Sequence, residues 1–589
     1  GWGINIYNTI MEKPSLEIGN GNWAIKENNL LGYANVDGMI LPDPITVTRA
    51  TLATRVNPSG LIEDVELLGG DLVTNGDFEL NSNWNNFGSP TTSEQSTEQS
   101  HTGTYSWKII ADATQEGIFS PNNFNLTNGL TYTVSLWIYS VSGNSIKSGL
   151  NNTSQSVFTE RTVTVGEWTN ITYEATATST GASYISILSQ NSLNFFVDNV
   201  TVKEVTRNGL AKIDYTDGTA NLLVEPARTN TVTYSEKISQ YTHVGLTIID
   251  NDTTSPSGLT SASKITETDG GSLHYAGVSL SGAAAEYSWS CFLKQGTVRY
   301  AGMRAVVNGF VNRFFVNVDL SNGSVVDTNT VGSGVTWEYS VEEYSNNWYR
   351  LIITAPNTSG NMDFTISPSN QSNPSYSLGL PSHSGDINNY FYAWGAQFEQ
   401  GSYPTSYIKT HGATAARAQD VITKTGISDK INSTEGVLFF ETAFLNDTGN
   451  YKSVTLSDGT TANRITFENR PVANQIKVFV CVSGTNVMQS TQTLTDVKAF
   501  NKIAIKWKQN DFAWWVNGVK IYTDTSGNTF SANTLNRLGF DRGDGFTLLE
   551  GKVKQLQVYK TALTDLELES LTSFASFTEM ANTLNYTIY

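Results

Sequence analysis

Two cysteines in 589 residues, Cys291 and Cys481, exclude a disulfide framework, and no cysteine or histidine spacing fits a metal site. Both lie in apolar, strand-like contexts and read as buried free thiols. Charge is scarce too. Only 15 % of the residues are Asp, Glu, Lys or Arg, and the acidic ones outnumber the basic by 54 to 36. A net charge of −18 repels a phosphate backbone, and no Lys/Arg cluster offsets it, so nucleic acid is excluded as a partner. No apolar run approaches the length of a bilayer crossing, which argues against membrane insertion. The opening GWGINIYNTI has no basic stretch before a long apolar core, so no signal peptide is read there. Catalytic signatures are missing as well. The five histidines are scattered, and there is no HExxH, nucleophile elbow, P-loop or dinucleotide fingerprint. The chain is therefore not read as an enzyme.

What is present points one way. Aromatics make up 11 % of the chain, amid abundant Asn, Ser, Thr and Gly. Many runs alternate apolar and polar residues between turn formers, as half-buried strands do. The expected fold class is all-β: a string of antiparallel β-sandwiches of the jelly-roll kind, with a short C-terminal helix. The length suits about four domains at ~150 residues each.

The stretch Asn221–Asn230, NLLVEPARTN, reads as a rigid connector, because Pro226 stops any strand running through it. Residues 1–70 are punctuated by Pro42 and Pro44 and read as an attachment or assembly segment. An inserted sandwich spans 71–205, a connector 206–230, a second sandwich 231–420, and a third 430–589 with the helix. The second repeats the first: EYSWSCFLK mirrors TYTVSLWIY, and NNWYRLIITAPNTSG mirrors GEWTNITYEATATSTG, with Trp348 placed like Trp168. The third carries a hairpin turn at Asn517-Gly518. A helical stripe follows at Leu568, Leu571, Phe574, Phe577, Met580 and Leu584.

Three resemblances attach to these residues. TRATLATRVNPSGLIEDVE (Thr48–Glu66) and KIDYTDGTANLLVEPARTN (Lys212–Asn230) resemble a module of tailed-bacteriophage structural proteins, and GAQFEQGSYPTSYIKTHGATAARAQD (Gly395–Asp420) looks like its end. LVTNGDFELNSNW, NGLTYTVSLWIYS and NFFVDNVTVKEV resemble jelly-roll carbohydrate-binding modules attached to glycoside hydrolases. WWVNGVKI and GKVKQLQVYKTALTDLELESL resemble laminin-G-like, concanavalin-A-like domains. The first implies a virion structural role, as a head or tail fibre or decoration protein. Its partners would be other virion proteins, held through the N-terminal segment, and host surface polysaccharide. The form implied by analogy with phage fibres is a homo-oligomer, a trimer. The second implies a structural calcium between the NGDFE and DNV segments, with oxygens from Asp77, Glu79 and Asp198 and a backbone carbonyl near Gly103. Calcium takes six to eight hard oxygens, so further backbone carbonyls must contribute. The second sandwich ends in Gly395-Ala396-Gln397 where the first has Asp-Asn-Val.

Sugar rings stack on exposed aromatic faces while amides and carboxylates bond the hydroxyls. Trp137, Trp168, Trp289, Trp348 and Trp507 are expected in the core. Trp84, Tyr105, Trp514 and Trp515 are the candidate stacking residues, since one of the adjacent Trp514 and Trp515 must leave the core face of a strand. Asp541 and Asp544, in the loop DRGDGF, are candidate sugar contacts. The expected function is adhesion to glycans at a virion surface. Two rivals stand beside it: a purely architectural capsid or tail component, and an accessory or catalytic polysaccharide-degrading protein.

Overall fold

The computed structural model describes residues 12–26, 29–121, 124–152, 158–358, 360–447, 449–574 and 576. These residues form antiparallel sheets throughout, with one α-helix among them, Asp565–Thr572. They divide into two compact units, Glu66–Arg207 and Gly1–Val65 with Asn208–Tyr589.

The smaller unit is a sandwich. One sheet has the order Trp168–Thr176, Thr131–Ser142, Leu193–Thr206, Ser106–Ala111, Thr92–Ser96, and Leu67–Asp71 also pairs with Leu193–Thr206. The other runs Thr159–Thr162, Ser145–Asn152, Gly181–Ser189, Gly117–Phe119, Asn85–Phe87. Period-two alternation fills the space between them: Tyr132, Val134, Leu136 and Ile138 from one sheet meet Ile146, Ile185 and Ile187 from the other. Burying each aliphatic side chain of this kind contributes roughly 1.5–3 kcal/mol.

Within the larger unit, residues 242–400 repeat that design. The strands Glu338–Tyr344, Trp348–Asn357, Ala285–Gln295, Tyr390–Gln400, Thr260–Glu267 and Leu246–Thr254 lie in one sheet in this order. The register repeats as well. Trp137 opposes Asp198 and Tyr139 opposes Trp168, while Phe292 opposes Trp394 and Lys294 opposes Trp348. A register shift follows Ser135 in one copy and Ser290 in the other.

The C-terminal sandwich departs from the sequence reading. Residues 12–65 are not a separate attachment segment, and the seam is not a bare connector. Leu16–Gly19 and Asn221–Val224 both pair with Gly551–Tyr559. Met39–Thr48 pairs with Asn29–Val36 and, at its end, with Val421–Thr425. Hydrogen bonding closes these strands and those of 435–559 into a barrel. The physical reason is apolar content: Leu16, Ile18, Leu30, Ile45, Val47, Leu222 and Val224 join Phe440, Trp507 and Leu556 in one core. Pro42 and Pro44, read as punctuation, lie inside the strand Met39–Thr48. Asn517 and Gly518 take positive φ values of 50° and 81° at the expected hairpin. The helix stops at Thr572, because Ser573 is extended, while Phe577, Met580 and Leu584 lie outside the described residues.

A buried ionic cluster ties the seam together. Arg49 donates to Asp420 at 2.6 Å, Lys212 reaches Asp420 at 2.9 Å and also pairs with Glu225, and Arg417 lies 2.9 Å from Glu225. Ser406 adds N–H and O–H bonds to Glu225, both at 2.7 Å. All five charged residues are buried. They come from the three segments that carry the phage-like text, so that text includes a set of mutually satisfied charges. Cys291 and Cys481 are buried free thiols, and burial pushes the Cys291 thiol up to about 12.

Candidate functional site

In the strand TYTVSLWIYS, Tyr132, Val134, Leu136 and Ile138 already occupy the core face. Thr133, Ser135, Trp137 and Tyr139 must then face outward. Ile171 and its period-two neighbours likewise turn Trp168, Asn170 and Thr172 out of the neighbouring strand. Trp137, Tyr139 and Trp168 are partly exposed, and Asn170 and Thr172 are exposed. Trp137 and Trp168 were expected in the core and do not lie there, whereas Trp289, Trp348 and Trp507 do.

The outward side chains form a patch with an aromatic half and a polar half. Ring centres of Tyr139 lie 5.7 Å from Trp168 and 6.2 Å from Phe196, and Lys108 stands 5.7 Å over Phe196. His101 stacks on Trp137 at 3.7 Å, leaving Tyr139 and Trp168 as the more open rings. Beside them Asn170 donates to Ser135 at 3.2 Å, and Thr172 donates to Asn170 at 2.8 Å. Aromatic faces flanked by amide and hydroxyl groups suit a polyhydroxylated ring.

The duplicated sandwich shows what is distinctive here. On its matching face Phe292, Trp348 and Trp394 are buried under Val56, Ile62 and Tyr407. The opposite sheet of the smaller unit also carries aromatics: Phe87 lies 6.2 Å from Phe119 and 5.6 Å from Phe158, and Phe119 lies 5.4 Å from Tyr184. Asn151, Ser186 and Leu188, on the strands of that sheet, are fully buried.

The four expected calcium residues are partly gathered. Glu79 Oε1 accepts from the N–H groups of Thr104 and Tyr105 at 2.7 and 3.0 Å. Asp198 Oδ2 accepts from His101 and Thr102 at 2.8 and 3.2 Å, and Oδ1 from Asn199 at 2.7 Å. Both carboxylates therefore grip the loop of residues 101–105. A Cβ on Gly103, whose φ is +68°, would meet Glu79 Oε1 at 2.2 Å. Burial raises the pKa of Asp198 despite these N–H bonds. The donors are hard oxygens, which fits calcium, but Asp77 is exposed. No group of three or more His, Cys, Asp or Glu placed to hold a metal occurs among the described residues. Glu79 and Asp198 bring hard carboxylate oxygens to the Gly103 loop, as the expected calcium site requires, while the Asp77 side chain is exposed. In the second copy Trp394 stands where Asp198 stands, which replaces a carboxylate with an indole that donates to Ser261 at 3.0 Å.

Most of the expected sugar contacts are corrected. Trp84 is 8 % exposed, packs 4.9 Å from Phe78 and donates its indole N–H to Asn75. Trp514 and Trp515 do face opposite sides, but they are 0 % and 5 % exposed. Trp514 fills the main core, while Trp515 packs with Leu563 and Leu568 beneath the helix. Asp541 is fully buried and bonded to Arg537 Nη1 at 2.9 Å. Asp544 pairs with Arg542 at 2.7 Å, which holds the RGD triplet closed on itself. Tyr105 remains partly exposed. The residues missed, Tyr139, Asn170 and Thr172 along with Trp137 and Trp168, were signalled by parity within their own strands.

Residues 70–191 match a protein family described as carbohydrate binding domain. No curated protein matches the chain. Among solved structures, the N-terminal CBM22-1-CBM22-2 tandem domain from Paenibacillus barcinonensis Xyn10C is 12 % identical over 56 % of this chain and 98 % of its own, with a TM-score of 0.21. The CBM40 of Ruminococcus gnavus IT-sialidase is 16 % identical over 24 % of this chain and 84 % of its own, with a TM-score of 0.21. The CBM22-1-GH10 modules of Clostridium thermocellum Xyn10B are 18 % identical over 26 % of this chain and 28 % of their own, with a TM-score of 0.19. The smaller unit is a β-sandwich, and it contains the residues that match the carbohydrate binding domain.

Proposed function

We propose that the chain is a non-enzymatic glycan-binding protein, and that the outer face bearing Trp137, Tyr139 and Trp168 is where a polysaccharide lies. One observation carries this: the face combines partly exposed aromatic rings with exposed Asn170 and Thr172, whereas its copy in the second sandwich is covered by the protein's own chain. The family match over residues 70–191 supports the same reading.

The resemblance of residues 48–66 and 208–230 to tailed-bacteriophage structural proteins supports a finer reading, a fibre or decoration protein at the virion surface adhering to host polysaccharide. Weak single sites would then act together, since copies in a homo-oligomer raise the effective concentration of the next site. Met39 and Ile40, 59 % and 69 % exposed, offer an apolar surface for other virion proteins. Calcium, held by Glu79, Asp198 and backbone carbonyls of the loop at Gly103, would stiffen the unit beside the glycan face.

The test is binding of the purified protein to an array of bacterial surface polysaccharides, with and without a chelator. Selective binding supports adhesion. A folded protein that binds nothing on the array leaves the purely architectural reading. A lower melting temperature on chelation supports the calcium site, and an unchanged one removes it.

A further inference from the structure

The larger unit holds a cleft that the glycan face does not involve. It consists of two adjoining hollows of about 620 and 730 Å³, which share Glu286, Ser402, Tyr403 and Asn446. Both volumes fall within the range of small-ligand sites. The larger hollow is lined by Arg228, Lys452 and Glu550 as well as Tyr403. The smaller is lined by Tyr339, which is 46 % exposed.

These charges are not equally neutralised. Glu550 accepts the Tyr403 hydroxyl at 2.6 Å and lies 3.6 Å from Lys452, which also donates to Asn446. Arg417, also on this wall, is held by Glu225. Arg228 pairs with no carboxylate among the described residues. Its Nη1 donates to the Ala227 carbonyl at 3.1 Å, its Nε is buried without an acceptor, and its guanidinium lies 5.4 Å from the Tyr403 ring centre. A guanidinium presents a planar fork of donors that matches a carboxylate with two parallel bonds. A partly exposed tyrosine ring beside that fork suits the apolar face of a pyranose. Glu286, exposed at the junction of the hollows, can accept sugar hydroxyl hydrogens but would repel a second acid group.

We propose that this cleft is a second saccharide site, which takes an acidic sugar with its carboxylate on Arg228 and its ring against Tyr403. The chain would then recognise two features of a polysaccharide at two places. This site does not depend on the outer face of the smaller unit, so the two readings can fail separately.

Calorimetry on the full chain tests it, with galacturonic acid oligomers, a sialylated oligosaccharide and neutral cello-oligosaccharides as probes. An acidic probe is expected to bind. Arg228→Gln should weaken it by about tenfold or more, and Arg228→Lys by less. Hydrogen exchange on the unsubstituted protein should show protection by the acidic probe at residues 227–231 and 401–404, whatever the variants' folding. The proposal is overturned if no acidic probe binds at millimolar concentration, if Arg228→Gln binds unchanged, or if protection is absent from both segments. It is equally overturned if a glutamate-rich peptide displaces the sugar at matching concentration.

Discussion

Glu225 and Asp420 are carboxylates held in the interior by Arg49, Lys212 and Arg417. Burial alone would raise their pKa values, but Arg417 and Lys212 at Glu225, and Lys212 and Arg49 at Asp420, more than offset it and hold both below the usual carboxylate range. Their contribution is therefore complete above the unfolded value near ~4 and is lost as pH falls through the folded values. The melting temperature should be flat around neutrality and fall in acid below about pH 4. Glu225→Gln should destabilise by about 3–5 kcal/mol, because buried Arg417 loses its carboxylate and buried Lys212 loses one of its two. A loss under about 1 kcal/mol in chemical denaturation would contradict this account of the cluster. The sequence displayed these charges without revealing that they meet, since Arg49 and Asp420 are far apart along the chain. Trp137 and Trp168 are the reverse case. The parity of their own strands already placed them opposite Leu136 and Ile171, and reading tryptophan as a core residue overrode that signal.

The strand Phe512–Val516 is buried on both faces. Alternation correctly separates Trp514 from Trp515, yet it says nothing of what lies over the second face, and there the helix Asp565–Thr572 supplies Leu568. Thr564 and Glu567 form a capping box that fixes the helix start. Leu568→Ala should cost about 2–5 kcal/mol. Leu568→Asp should shift tryptophan emission to the red as water reaches Trp515; unchanged emission at full folding would show that the helix does not cover that ring. The N-terminal strands failed to show for a related reason. Leu16–Gly19 has only four residues, and a strand that short carries almost no periodicity until its partner, Gly551–Tyr559, is known.

At the scale of the whole molecule, the smaller unit is an insertion whose two ends meet. Leu68 opposes Val205 and Leu67 opposes Thr206 as paired neighbours. Ends so placed leave a host fold undisturbed. Residues 66–207 expressed alone should fold, with a cooperative thermal transition of their own, and a polypeptide that shows none would contradict their standing as a self-contained core. The all-β class, the repeat of one sandwich in the next and the Asn517-Gly518 hairpin were legible because each is written in local alternation and turn chemistry. The strand exchange that draws residues 16–48 and the seam into the C-terminal barrel was not, because it depends on partners hundreds of positions away.

The central claim is that glycan lies on the outer face at Tyr139 and Trp168. The direct measurement is affinity for the best polysaccharide on the array, comparing the double variant Tyr139→Ala/Trp168→Ala with Phe119→Ala/Tyr184→Ala on the opposite sheet. Each stacked ring is worth about 0.5–1.5 kcal/mol, so losing two removes about 1–3 kcal/mol; the first variant should bind more weakly by about fivefold or more at unchanged melting temperature, and the second should bind as the unsubstituted protein does. Full affinity in the first variant and loss in the second would place the glycan on the other sheet and contradict the account.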